Sequence, residues 1–76
     1  MSTPSRSYDR SWEEIENMLN LAVEKMNDWK QEFESCKSSK DADGMKIAAR
    51  NYKALEGVIK TLKWTLGETG IETPLE

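Results

Sequence analysis

From Ser11 onward, apolar side chains recur along the chain in a regular rhythm. Trp12, Ile15, Leu19, Ala22, Met26, Trp29, Phe33 and Cys36 are separated by steps of 3, 4, 3, 4, 3, 4 and 3 residues. That spacing keeps one stripe of a helix turned toward a neighbouring helix. A second series, Met45, Ala48, Tyr52, Leu55, Ile59, Leu62 and Leu66, repeats it with steps of 3, 4, 3, 4, 3 and 4. Between them the stretch KSSKDADG, residues 37–44, has no apolar rhythm and is rich in turn and cap formers, so the chain reverses there. The pattern predicts an all-α fold: helices over 11–37 and 44–66, a loop over 38–43, and hence a two-helix antiparallel hairpin.

The ends of these helices are marked locally. Ser11 stands three residues before Glu14, the capping-box arrangement in which each side chain takes a free backbone N–H of the other residue. Asp41 or Asp43 is placed to cap the second helix, and Gly67 falls where a helix stops in the left-handed conformation. Residues 1–10 are polar, carry Pro4 and are predicted to be a mobile N-terminal segment. Residues 11–67 form the hairpin domain and 68–76 a C-terminal tail. Leu75 and Glu76 read as cloning-derived and are expected to play no structural part.

The apolar stripes are wider than a lone helix pair requires. Met18, Val23 and Val58 lie beside the seams and Leu21 farther round, a width typical of bundles. The expectation is a homo-oligomer, most simply a dimeric four-helix bundle, with Trp12 and Trp29 in its core. Charge favours contact of the two arms. Residues 11–37 hold seven acids against three lysines, net −4, and residues 44–66 hold five bases against Glu56, net +4. Exposed pairs contribute only about 0.2–1 kcal/mol each, so the seams carry the energy.

Composition narrows the chemistry. The 76 residues make one domain too small to wall a catalytic cleft, and there is no histidine and a single cysteine. Without histidine the Glu-x-x-His pairs of di-metal bundles cannot form, and the EEIE stretch reads as a solvated first turn favoured by the helix dipole. Cys36, on the seam with no histidine to activate it, reads as a small buried hydrophobe. No glycine-rich phosphate loop or nucleophile elbow occurs, so neither an enzyme nor a cofactor is expected. The opening residues lack the apolar stretch of a secretory leader and no apolar run approaches a membrane span, which leads to the expectation of a cytoplasmic protein with no membrane partner.

The stretch AARNYKALEGVIKTLKWTLGE, residues 48–68, resembles the closing segments of short helical accessory proteins of tailed bacteriophages and prophages, where LxWxLGE-like endings recur. The resemblance covers less than a third of the chain and includes no catalytic or binding signature. It implies a bacterial or phage cytoplasmic accessory protein that acts by contact with another macromolecule.

Two surfaces of the second helix are candidates for that contact. Arg50, Ala54, Gly57, Thr61 and Trp64 fall on one strip roughly opposite the seam, at about 100° per residue. Glycine inside a helix costs about 1 kcal/mol against alanine, so the strip is expected to serve as a second interface for a protein partner or a higher oligomer. The alternative there is that the tail folds back, with Ile71 covering Trp64, or that glycine is simply tolerated. Lys53, Lys60 and Lys63, with Arg50, Tyr52 and Trp64 nearby, form a basic face suited to nucleic acid. Against that stand the net charge of −3 and the acidic first helix. The function expected is therefore a non-enzymatic protein-interaction module, possible alternatives being a nucleic-acid-binding hairpin or an inhibitor whose acidic helix mimics a polyanion.

Overall fold

The computed structural model describes residues 4–6 and 9–75 of the chain. Among these the regular structure is two α-helices, α1 over Trp12–Ser38 and α2 over Ala42–Thr65, packed against each other, with no strand. At 1.5 Å per residue the arms are about 40 and 36 Å long. The mobile segment expected over residues 1–10 falls in part outside the described residues.

Each helix end is set by neighbours in sequence. Ser11, in extended conformation, accepts the Glu14 N–H at 3.1 Å, and Glu14 Oε2 accepts the Ser11 N–H at 3.2 Å, completing the capping box. At the other end of α1 the Lys40 N–H donates to the Lys37 carbonyl at 3.2 Å and the Asp41 N–H to the Cys36 carbonyl at 2.8 Å. These are the two bonds of a Schellman cap, and Lys40 occupies its left-handed position with φ 60°. Asp41 then caps α2, its Oδ1 accepting the Gly44 N–H at 3.0 Å. Because Asp41 closes one helix and opens the next, the connection is three residues, 39–41, where the lack of apolar rhythm suggested 38–43. The end of α2 repeats the device. Gly67, φ 75°, donates to the Trp64 carbonyl and Glu68 to the Lys63 carbonyl, both at 3.0 Å.

The two seams face each other, as the steps of 3 and 4 require. Ala22, Cys36, Ala48 and Ile59 are buried, and the other seam residues apart from Trp12 are half-buried. Trp12 departs from the expected core position and is 66% exposed. The chain reverses near Lys40, so by residue count Trp12 stands level with about residue 68, beyond the last turn of α2. Trp29, also expected in the core, is half-buried. No large side chain of the described residues is fully buried. The radius of gyration is 15.7 Å, against about 11 Å for a compact domain of this length.

Candidate interaction surface

The outer surface of α2 divides by helical angle into sectors of different chemistry. Opposite the seam lies the strip Arg50, Ala54, Gly57, Thr61 and Trp64, all exposed. A Cβ added at Gly57 would meet nothing within 4 Å. Thr61 Oγ1 donates to the Gly57 carbonyl at 2.9 Å, so the strip is a smooth helix surface with Trp64 at one end. Trp64 is 49% exposed, and Ile71 is half-buried. It borders a shallow depression with Met26, Ile59, Lys60 and Lys63, on the side of the hairpin nearer the seam.

The basic face follows that same flank. Lys53 pairs with Glu56 within α2 and Lys63 with Glu68 just beyond its end, both at 3.8 Å. Lys60 is half-buried beside the tail and borders both Ile71 and Gly70. The three lysines of the candidate nucleic-acid surface thus lie along one flank, with Lys53 and Lys63 beside carboxylates. Toward the loop the flank continues into an apolar notch lined by Lys30, Phe33, Ala49, Tyr52 and Lys53.

Cys36 sits at the closed end of the hairpin, where α1 meets the first turn of α2. Its Sγ donates to Glu32 Oε1 at 3.6 Å. Burial pushes the thiol above its ordinary value, and the hydrogen bond to Glu32 and the charges of Glu32 and Asp41 act in the same direction. A protonated thiol is a poor nucleophile, so nothing here activates Cys36 for chemistry. Among the described residues no group of three His, Cys, Asp or Glu side chains is placed to hold a metal ion, and no helix is long and apolar enough to cross a membrane.

What the surface offers is apolar area. Trp12, Met18, Leu21, Ile47, Val58 and Trp64 are between 43% and 66% exposed. Of these, Ile47 escaped the sequence reading because it lies off the seam; the signal that marks it is a second series of 3- and 4-residue steps running beside the first. Fold and surface together define an αα-hairpin that leaves much of its hydrophobic side-chain area at the water. Compared with protein-family models, curated proteins and solved structures, the chain shows no match.

Proposed function

We propose that the protein is a small non-enzymatic protein-interaction module whose hairpins associate in pairs as a dimeric four-helix bundle. The supporting observation is surface area. The chain exposes 6467 Å², while a folded monomer of 8.7 kDa is expected to expose about 4,700 Å². The excess lies partly on the exposed residues ahead of Ser11. It still compares with the roughly 800 Å² that a standard interface takes from each partner. Burial of apolar area stabilises by about 25 cal/mol per Å², so covering Met18, Leu21, Ile47 and Val58 contributes several kcal/mol to a domain that is otherwise marginal.

In the setting implied by the resemblance of residues 48–68, such a module acts as a phage or prophage accessory or inhibitor protein in the cytoplasm, binding a host or phage macromolecule. Of the strip Arg50, Ala54, Gly57, Thr61 and Trp64, the side bearing Arg50, Gly57 and Trp64 is then the surface left for that protein partner. The nucleic-acid reading stays second because Glu56 and Glu68 already offset Lys53 and Lys63. Sedimentation equilibrium at micromolar concentration tests both. The expected mass is twice 8.7 kDa, and a monomer that melts cooperatively overturns the pairing. A mixed oligonucleotide that co-sediments at low salt would instead give the basic flank the leading role.

A further inference from the structure

Resting on the proposal that the hairpins pair, we infer that the second copy docks antiparallel along the uncharged flank of α2, with Ile47, Asn51, Ala54, Val58, Thr61 and Thr65 as the contact row. Charge separates the two flanks of this helix. On the side beside Ile71 the helix carries Lys46, Lys53, Glu56, Lys60 and Lys63. On the other side, an arc of about 100° from Leu62 round to Thr61 holds no charged residue between Ile47 and Thr65. A two-fold interface sets one surface against itself. In its matching register the first flank would set Lys46 against Lys63 and bury Lys60 and the Lys53 and Glu56 charges as well, whereas the second buries no charge of this helix.

The row also fits its own reversal. Its residues are spaced 4, 3, 4, 3 and 4 apart, a series that reads identically from either end. A two-fold axis between Ala54 and Val58, at the height of residue 56, therefore sets Ile47 against Thr65 of the second copy, Asn51 against Thr61 and Ala54 against Val58, all in one register. The polar members of the row are ready for burial. Asn51 Nδ2 donates to the Ile47 carbonyl, Thr61 Oγ1 to the Gly57 carbonyl and Thr65 Oγ1 to the Thr61 carbonyl, each at 2.9 Å. No hydroxyl donor is left unpaired when water is removed, so the usual penalty for covering threonine is largely absent. The second amide hydrogen of Asn51 is free to meet the Thr61 hydroxyl oxygen opposite.

α1 extends the same face. Lys30 and Phe33 border Ala49 and Lys53 on the charged flank, whereas Met18 and Leu21 lie round α1 in the other direction. Leu21 stands level with about residue 59, beside Val58. The tail lies against the charged flank, so this side is the one left for the second copy.

A charge-swap experiment tests both surface and register. Val58→Asp and Ala54→Lys, each alone, are expected to weaken self-association at least tenfold, read by sedimentation, with helix content followed by circular dichroism. Mixing the two variants is expected to restore the dimer, because position 58 of one chain faces position 54 of the other. If either variant loses helix alone, recovery of helix on mixing supports the inference equally; loss without recovery overturns it. Lys53→Ala, on the opposite flank, is expected to leave the dimer intact. A wild-type dimer that Val58→Asp does not weaken overturns this face while leaving the pairing proposal in place. A monomeric wild type overturns both.

Discussion

Gly44 and Gly57 occupy the same helix with opposite surroundings. At Gly44 an added Cβ would lie 2.5 Å from Asp41 Oδ2 and 2.6 Å from Cys36 Sγ, whereas at Gly57 it would meet nothing within 4 Å. Helix propensity treats the two alike. The difference is tertiary: Gly44 sits where α2 leaves its cap and crosses the end of α1, so the arms close on each other there. Gly57 sits on the outer surface at mid-helix. The closed end of the hairpin is thus fitted by small groups, with Cys36, Gly44 and Ala48 packed together, while the open end carries Trp12, Met18, Leu21 and Trp64 at the water. One end is closed by its own small side chains. The other leaves large apolar ones uncovered.

The largest effect that would break this contrast belongs to Gly44→Ala. Both Asp41 Oδ2 and the Cys36 thiol must give way to the new methyl group, and such overpacking costs about 1–3 kcal/mol. Alanine's better helix propensity, about 1 kcal/mol in a helix interior, offsets only part of that and less in a first turn. Thermal unfolding is expected to show a net loss, smaller in a Cys36→Ala background where one of the two close contacts is gone. An unchanged or raised melting temperature would mean that the closed end has slack, and the comparison would fail.

What could be read from the chain beforehand divides along similar lines. Ser11 with Glu14, an aspartate at the start of α2 and Gly67 at its end follow from signals within a few residues, and the structure selects Asp41 over Asp43 for the second of them. The seams were legible because a period of 3 and 4 points to one face whatever the partner. Three features needed the arms in place. Lys40 in the left-handed position has no sequence signal, since glycine or asparagine would be usual there. The exposure of Trp12 depends on α2 ending at Thr65. The path of the tail, with Ile71 against Met26 and Ile59, depends on two turns at Gly67 and Gly70 whose direction no spacing encodes. For the candidate surface, the strip around Gly57 was placed by angle alone. The uncharged flank beside it became legible once the hydrogen bonds of Asn51, Thr61 and Thr65 showed how its polar groups are occupied.

Gly57→Ala sharpens the comparison from the other side. With open space around the new methyl group, the gain in helix propensity is about 0.8–1 kcal/mol. For a domain of this size that raises the melting temperature by roughly 4–8 °C. Sedimentation of the same variant carries the functional information. Unchanged association puts Gly57 outside the contact between copies, as the uncharged flank requires. Weaker association, despite the more stable helix, would show that the contact reaches past Ala54 and Thr61 to Gly57 and lies farther round the helix toward Trp64.

The smallest effect concerns the thiol that Gly44 packs against. Burial first, then the hydrogen bond to Glu32 and the charges of Glu32 and Asp41, raise the Cys36 pKa above its ordinary value of 9.0. The unfolded chain therefore releases this proton at a lower pH than the folded one. With fewer protons bound in the unfolded state, stability falls as pH rises. The contribution of the thiol is fully present below about pH 9 and is lost as pH climbs through the folded value. Lysines and tyrosines titrate in the same alkaline range, so the informative quantity is the difference between wild type and Cys36→Ala. That difference is expected to be flat from pH 7 to 8.5 and to narrow above it. Alkylation by iodoacetamide at pH 8 should also run well below the rate of a free thiol, because both the thiolate fraction and access are reduced. A rate equal to that of a free thiol would mean that the closed end opens readily, and the packing that distinguishes Gly44 from Gly57 would not persist in solution.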